Sequence, residues 1–468
     1  MKRIFSTKNF WTIGLLLSLF VCSLGLTSCK KEEDISSGSS TPVTVKSVYL
    51  EDVKSTVQDR EVTFARLGSL IRIDGSGFVG MKKVYINGYS TYFNPVMLSD
   101  KSMIIQVDAK TPIIDADSAA RNTIRFVKDA ATLTYKFQIR DAAPTLTSVS
   151  NTMPASGDSI TIYGTGLTGI SKITFPGSVV VTDGIISDKK GAYCKVIVPA
   201  GLTIGGSLLV EGSNGGVYSP AYFNCKSGVI LDFDGNGTQG YWSWSATGSM
   251  INNTDLESTI IGAGAKSQGN YCAHRPARIS GFPAAKNRNT EVWTSGNGVD
   301  DWRGRFTTLV PAIAMVDSFA FQFDIYVPNT WVNTGFLKIC LKNAFNGGEW
   351  SGNCYNYVPW LVNGAITPFK TTGWVTITIP FKKFYAFSGT DQAYTFEDVL
   401  AMREKSDYQN FGIFFENSDI KLSNITGNSA DDNTVYSSSA TSVSVYTDNW
   451  RIVPLTKPVY SDYPATPN

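Results

Sequence analysis

The sequence predicts an all-β protein made of two tandem immunoglobulin-like sandwiches followed by a larger β-sandwich or jelly roll. Three observations predict this class. A segment in the first half repeats at a constant offset of 89 residues, the second half contains short apolar runs divided by turn residues, and one stretch alone has clear helical features. With 468 residues, the chain can form about three domains, each with its own core.

Residues 1–28 have the features of a signal peptide. A short basic segment precedes an apolar run from Trp11 to Leu26, which is too short to span a bilayer comfortably. The run ends in Leu26-Thr27-Ser28-Cys29, which resembles the lipobox of bacterial lipoproteins. This resemblance implies that Cys29 is lipidated and becomes the mature N-terminus, anchored in the outer membrane. The alternative is an ordinary secretory signal with an incidental cysteine.

Residues 29–45 are expected to form the lipidated cysteine and a flexible linker. Lys30-Lys31-Glu32-Glu33-Asp34 resembles the acidic export tag of surface lipoproteins from Bacteroidota-type bacteria. The segment Ser36 to Thr44 is rich in Ser, Gly and Pro, a composition typical of flexible tethers. We therefore expect a surface-exposed lipoprotein held away from the membrane.

The repeat consists of Gly68 to Gly80 and Gly157 to Gly169, in which strand-like residues lead into Gly-x-Gly-x-x-Gly. Such glycines suggest a dinucleotide site when a helix follows them. Here the next segment, Lys83 to Gly88, predicts another strand and turn, so we expect β-turns and no nucleotide. The two copies resemble IPT/TIG domains, which are immunoglobulin-like modules, and the proline break at Pro144 separates them. We assign them to residues 46–143 and 144–226.

The C-terminal domain is expected to span residues 227–468. Apolar runs predict strands, and Thr395-Phe396-Glu397-Asp398 has the pattern of a helix-capping box, with Val399 to Lys405 continuing the helix. The strand-like runs are Phe319 to Val327, Phe336 to Leu341, Trp374 to Ile379, Phe411 to Phe415 and Trp450 to Val453.

Nine of the ten tryptophans lie in this domain, more than we expect its core to need. A sugar ring has an apolar face and a polar rim, so a glycan site combines flat aromatic rings with amides and carboxylates. The segment Asn343 to Trp360 offers these in a Gly- and Asn-rich sequence typical of an exposed loop. The predicted glycan-binding platforms are Trp331, Trp350, Tyr357 and Trp360, with Trp293 and Trp302 behind them. Trp374 and Trp450 are expected in the core, while Trp242 and Trp244 share one sheet face that is either core or cleft.

Two further segments connect this domain to a known family. Gly373 to Phe381 resembles a strand of carbohydrate-binding jelly rolls, and Asp448 to Val453 resembles their closing strand. Together with the lipobox and the repeats, the chain resembles the B-type surface glycan-binding proteins of Bacteroidota polysaccharide utilisation loci. The resemblance implies a polysaccharide ligand, xyloglucan or a related β-glucan, and association with a porin complex of the starch-utilisation type.

Charge and cysteine content exclude several other classes. Without residues 1–28 the formal charge changes from +2 to −1, which gives no support for nucleic-acid binding. Cys29 is followed by five cysteines, so at least one is unpaired unless the chain has no disulfides. The cysteine spacing matches no zinc motif, and His274, the only histidine, has no Gly-x-Ser-x-Gly partner. We expect no cofactor and no catalytic residue.

Three alternatives remain open. A jelly-roll glycoside hydrolase could use two of Asp300, Asp301, Asp324 and Glu349, although no spacing establishes a pair. A surface adhesin could use the same aromatic loops to bind protein. The segment Asp232 to Gly237 begins like a calcium-binding loop, and Asp448 could supply a further ligand. Ser243, however, occupies the position of the bidentate glutamate in such loops. We therefore favour a turn and expect no metal.

Overall fold

The structure, a computed structural model, describes residues 41–52, 57, 59–241, 250–259, 269–279, 289–296, 298–343 and 352–463. These residues contain strands and a few short helices, which agrees with the predicted all-β class. They divide into two compact units, one reaching from the N-terminal side to Ala142 with Tyr463, the other spanning Ala143–Asp462. No helix in the described ranges is long and apolar enough to cross a membrane.

The first unit contains one sandwich. Its sheets have the strand orders β2-β1-β4-β8-β7 and β10-β9-β5-β6, and β11 pairs with β3 in parallel. Alternating side chains of both sheets fill the core, as the twofold side-chain period of a strand requires. The strands are β1 (Thr44–Glu51), β2 (Arg60–Glu61), β3 (Phe64–Arg66), β4 (Leu70–Ser76), β5 (Lys83–Ile86), β6 (Tyr89–Thr91), β7 (Phe93–Leu98), β8 (Ser102–Gln106), β9 (Thr123–Val127), β10 (Thr132–Lys136) and β11 (Gln138–Arg140).

The second unit begins with another sandwich. Its two sheets have the orders β12-β13-β17-β16 and β15-β14-β18-β19, all antiparallel. The strands are β12 (Thr145–Val149), β13 (Ser159–Thr165), β14 (Ile170–Phe175), β15 (Val179–Val181), β16 (Ile186–Ser187), β17 (Tyr193–Ile197), β18 (Leu209–Gly212) and β19 (Gly215–Tyr218).

The sequence repeat corresponds to a repeated structure. Strands β4 and β13 have the same bounds at the predicted offset of 89 residues. A Cβ on Gly75 would lie 1.9 Å from the carbonyl oxygen of Thr44, and a Cβ on Gly164 would lie 1.9 Å from that of Thr145. Each pair of strands also has a bulge beside this contact. The glycines therefore allow close backbone approach, and a turn and a strand follow them, as predicted.

The C-terminal domain completes the second unit with two five-stranded sheets. One sheet has the order β20-β33-β24-β29, and β22 also pairs with β33. The other sheet has the order β21-β23-β30-β25-β26. Two ribbons, β27-β28 and β31-β32, lie outside them. The strands are β20 (Val229–Leu231), β21 (Gln239–Gly240), β22 (Cys272–His274), β23 (Asn289–Thr294), β24 (Phe319–Tyr326), β25 (Phe336–Cys340), β26 (Cys354–Tyr357), β27 (Leu361–Val362), β28 (Ala365–Ile366), β29 (Val375–Pro380), β30 (Gly412–Glu416), β31 (Ile420–Lys421), β32 (Val435–Tyr436) and β33 (Val445–Pro454).

The described residues of this domain also form the α-helices α1 (Trp302–Phe306), α2 (Phe396–Glu404) and α3 (Ser423–Thr426). The predicted helix is confirmed as α2, with Thr395 at its N-cap and the Asp398 carboxylate accepting from the Thr395 backbone N–H at 2.7 Å. Helices α1 and α3 were not predicted, because both are too short for a helical period to be recognised. The five predicted strands are confirmed as β24, β25, β29, β30 and β33, with shifted ends.

The central strands β24 and β33 are buried on both faces. Phe321 and Phe323 of β24 and Trp450 of β33 point into the core between the two sheets. Ala320 and Val453 point the other way and pack into the core of the second sandwich. The C-terminal domain and the second sandwich therefore share an apolar interface, which explains why they form one compact unit.

A buried polar network lies in the same interface. Arg451, fully buried, donates from Nη2 to Thr152 Oγ1 of the second sandwich at 2.8 Å and to Asp324 Oδ1 at 2.9 Å. Its Nε donates to Gln322 Oε1 at 3.2 Å, and Thr376 Oγ1 donates to Asp324 Oδ1 at 2.7 Å. A buried charge is stable only when it is paired and hydrogen-bonded, so this network fixes how the two domains dock.

Candidate functional site

The three leading platform residues that the structure describes lie in the core. Trp331 is fully buried, and its indole Nε1 donates to Thr334 O at 2.6 Å. Trp360 is 1% exposed and donates to Gly335 O at 2.8 Å. The Tyr357 ring packs edge-on against Phe323, with centroids 5.5 Å apart, and burial raises the pKa of its hydroxyl. None of these three rings presents a face to solvent, so the structure does not support their prediction as glycan platforms.

The second pair of predicted platforms is buried as well. Trp293 on β23 is 1% exposed, and its Nε1 donates to Glu291 Oε2 at 2.9 Å. Trp302 begins α1 and donates to Asp300 Oδ1 at 3.0 Å, while the Arg403 guanidinium lies 3.8 Å from its ring centroid. These contacts give both rings a packing role and do not support the prediction of a binding role.

The remaining tryptophans divide in three ways. Trp450 is fully buried, as predicted. Trp374 is half-buried, so the prediction of a core position is only partly correct; it packs on Tyr271, Tyr326 and Tyr446. Trp350, Trp242 and Trp244 lie outside the described residues.

The groups considered for catalysis have structural partners. Asp300 accepts from Arg403 and Arg305, Asp301 caps α1, and Asp324 belongs to the Arg451 network. His274 is fully buried with Nδ1 2.8 Å from Thr290 Oγ1, and burial lowers its pKa to about 3. These groups therefore act in packing. Glu349 lies outside the described residues.

The segment that begins like a calcium loop forms a turn. Asp232 Oδ1 accepts from the backbone N–H groups of Asp234 and Asn236 at 3.0 and 2.8 Å. Burial and the nearby Asp324 raise the pKa of Asp448 well above its usual range. In the described part of the chain, no three acidic, cysteine or histidine side chains are grouped so that they could hold a metal.

An open cleft of about 380 Å³ lies beside the start of the edge strand β26. One wall is Tyr385, whose backbone N–H donates to Cys354 O at 3.0 Å and so holds the ring next to the strand. Helix α3 and the turn after it form the other wall. The lining residues are Gly352, Tyr385, Ser423, Asn424, Gly427, Ser429 and Asp432.

The wall formed by α3 is ordered by its own polar side chains. Gly427 ends the helix in the left-handed conformation at φ 74°, which favours glycine, and its N–H donates to Ser423 O at 2.9 Å. Ser423 Oγ donates to Asp432 Oδ1 at 2.5 Å, and Asn428 caps the following turn. These bonds hold the polar groups of the wall in place before any ligand arrives.

Asn356 links the two walls from below. Its Nδ2 donates to Tyr385 Oη at 3.2 Å and to Asn424 O at 3.3 Å. Its Oδ1 is buried and has no hydrogen-bond partner among the described residues. A buried amide oxygen without a partner costs free energy, so its presence under the cleft indicates a position where a donor from water or a ligand is needed.

The chemistry of this cleft suits an uncharged polyol. The aromatic ring of Tyr385 provides an apolar face, and hydroxyl, amide and carboxylate groups surround it. A second cleft of about 470 Å³ is lined by Lys226, Arg305 and smaller residues, two of them glycines. No described aromatic ring lines that second cleft, so it lacks a stacking surface for a sugar.

Sequence reasoning missed this site because its lining comes from three distant segments. Each segment alone reads as a turn: Ser423 to Ser429 is a Ser-, Asn- and Gly-rich stretch typical of loops. The one useful signal was the loop from Asn343 to Trp360, because it contains Gly352 at the edge of the cleft.

Residues 223–454 match the protein family described as the surface glycan-binding protein B xyloglucan-binding domain. This range includes both sheets of the C-terminal domain and every lining residue of the cleft.

Two proteins of known description are similar to this chain. An IPT/TIG domain-containing protein from Bacteroides ovatus is 26% identical over 167 residues, which cover 35% of this chain and 32% of that relative. The chain thus matches only about a third of that relative's length. The crystal structure of a surface glycan-binding protein B from Prevotella bryantii superposes with a TM-score of 0.59 at 18% identity, covering 88% of this chain and 99% of that one. At this identity, the superposition establishes the shared fold.

Proposed function

The chain belongs to the surface glycan-binding proteins of the B type, and we propose that it captures a neutral polysaccharide, xyloglucan or a related β-glucan, without cleaving it. The observation that carries this proposal is the family match over residues 223–454. The formal charge near zero and the polyol-like chemistry of the cleft support an uncharged ligand.

We place the ligand in the cleft beside β26. A sugar ring would stack on Tyr385, and its hydroxyls would bond Asn424, Ser423 and Asp432, which are half-buried or exposed. Trp350 remains the best tryptophan candidate, since it precedes Gly352 by two residues.

The absence of turnover is part of the proposal. Hydrolysis of a glycosidic bond needs two carboxylic groups about 5 to 10 Å apart. Asp432 is the single carboxylate among the described lining residues, and Asp300 and Asp324 are paired with arginines elsewhere. Incubation of the protein with xyloglucan should therefore release no reducing sugar, and turnover that Asp432→Asn abolishes would contradict this.

The location and partners are also proposed. The lipobox supports lipidation at Cys29 and an outer-membrane anchor, and the linker after it supports display at the cell surface. A protein that binds but does not cleave needs a neighbour that imports the glycan, which is consistent with a porin complex of the starch-utilisation type as partner.

Calorimetric titration with xyloglucan and with an unsubstituted β-glucan tests the binding site. Tyr385→Ala should weaken binding roughly tenfold or more, since one stacked ring contributes about 1 to 3 kcal/mol in comparable sites. Tyr385→Phe should retain most of the affinity because it keeps the ring. The matched control is Tyr92→Ala, which removes an aromatic side chain that is 80% exposed on the first sandwich.

The same titration separates the cleft from the buried tryptophans. Trp331→Ala should lower stability by about 3 to 5 kcal/mol, because it empties a fully buried site, while the folded fraction still binds. Unchanged affinity in both Tyr385→Ala and Asp432→Asn would show that the glycan binds elsewhere. Loss of binding in Tyr92→Ala would point to the first sandwich instead.

A further inference from the structure

Two buried cysteines face each other across β25 and β26. Cys340 and Cys354 are direct partners in the register of these antiparallel strands. Both are fully buried, and their Sγ atoms lie 2.8 Å apart. They pack in one cluster with Met250, Trp293 and Phe414.

The backbone around this pair has the geometry that a disulfide needs. The N–H of Leu341 donates to Asn353 O at 3.1 Å, so the neighbouring pair is the hydrogen-bonded one. Cys340 and Cys354 therefore occupy a non-hydrogen-bonded position, where Cα atoms of facing residues are about 4.5 Å apart. Disulfides require Cα separations of about 4.4 to 6.8 Å.

A metal site does not account for the pair. A zinc site needs three or four ligands, and the described residues include no group of three cysteine, histidine or acidic side chains that could bind one. A thiolate role is equally unsupported, because burial and the neighbouring thiol of Cys354 raise the pKa of Cys340 well above its ordinary value.

We propose that Cys340 and Cys354 form a disulfide in the exported protein. The two thiols lose two protons and two electrons as the Sγ–Sγ bond forms. The disulfide of a thiol–disulfide exchange protein accepts them and becomes a dithiol. The leader predicts export to a compartment where such bonds persist.

The bond would close a loop of 13 residues, from Leu341 to Asn353. This loop includes Gly352, beside the cleft, and β26 is the last strand of its sheet, with β25 as its neighbour. Closing the loop constrains the unfolded chain and ties the edge strand to β25. The inference concerns covalent structure, so it does not depend on which ligand the cleft takes.

Thiol trapping tests the proposal directly. The full chain is exported to a bacterial periplasm and denatured in N-ethylmaleimide with no reductant. It is then digested, and the masses of its peptides are measured by mass spectrometry. We expect the peptides with Cys340 and Cys354 to be joined, lighter by two hydrogen atoms than their sum. The cysteines Cys194, Cys225 and Cys272 should all be alkylated. Alkylation of Cys340 and Cys354, or a bond from either to another cysteine, would overturn the proposal.

Thermal melting gives a second, independent measurement. Dithiothreitol should lower the Tm of the wild type by several degrees, on the order of 5 °C, because the loop constraint is lost. It should lower the Tm of the control Cys194→Ala equally, and leave the variant with Cys340→Ala and Cys354→Ala unchanged. A reductant effect of the same size in that double variant would contradict the assignment.

Discussion

At the scale of single residues, four of the six tryptophans that the structure describes in the C-terminal domain donate their indole N–H to an oxygen inside it. Trp331 and Trp360 both donate to backbone carbonyls near Gly335, and Trp302 donates to Asp300. A buried indole with a partner pays no desolvation penalty and fills a large volume. These four tryptophans therefore belong to the packing of the core.

His274 makes the stability of the protein depend on pH. Burial lowers its pKa to about 3 in the folded protein, whereas the unfolded chain titrates near 6.5. The unfolded state therefore binds the proton more tightly. The stabilisation is complete above pH 6.5 and is lost as the pH falls toward 3, at about 1.4 kcal/mol per pH unit.

Urea denaturation at pH 7.5 and pH 5.0 measures this effect. The wild type should lose about 2 kcal/mol more than His274→Gln over this interval, because only the wild type has the buried imidazole. Carboxylates titrate in both proteins and cancel in the comparison. If the two proteins lose stability in parallel, His274 is not the group responsible.

At the scale of elements, the two sandwiches share a repeated sequence and also the same close approach of two strands at a glycine. Strand β4 passes β1 at Gly75, and β13 passes β12 at Gly164, with a carbonyl oxygen where a side chain would begin. Hydroxyl pairs reinforce the same positions: Thr145 Oγ1 lies 2.8 Å from Thr165 Oγ1 in the second sandwich. Gly75 and Gly164 are thus explained by strand packing.

Gly164→Ala should destabilise the second unit by about 1 to 3 kcal/mol, since the added methyl group overlaps backbone and forces the strands apart. Gly373→Ala is the matched control, because a Cβ there would have no atom within 4 Å, and such a change costs about 0.5 kcal/mol or less. Denaturant unfolding of both variants compares them. Equal stability of the two variants would show that β12 and β13 can separate without cost.

At the scale of the whole molecule, the sequence predicted the fold class and the repeat, because glycine spacing and twofold alternation are local signals. It did not predict the docking of the second sandwich on the C-terminal domain. Gln322 and Arg451 are polar residues that alternate with apolar ones, so their strands suggest that both face solvent. Both are instead fully buried and form hydrogen bonds with Thr152. The cleft was missed for the same reason: Tyr385 and Asn424 are brought together by tertiary contacts that no single segment encodes.

A fragment of residues 227–468 should be less stable than one of residues 144–468. Without the second sandwich, Ala320 and Val453 are exposed and the Arg451 guanidinium loses Thr152. We expect one calorimetric transition for the longer fragment and a lower Tm for the shorter one. Equal Tm values for the C-terminal domain in both fragments would show that the interface contributes nothing to its stability.

The path of the chain through this interface has a mechanical consequence. The chain leaves the second sandwich near Lys226, and returns to it after Pro454, where Thr456 O accepts from Ala221 N–H and the Tyr460 ring covers Gly216. One peptide link between domains acts as a swivel, whereas two links leave rotation only about the line that joins them. Tension on a polymer held by the C-terminal domain would thus be shared between these two connections. The second sandwich and the C-terminal domain would transmit the force without bending at a hinge between them.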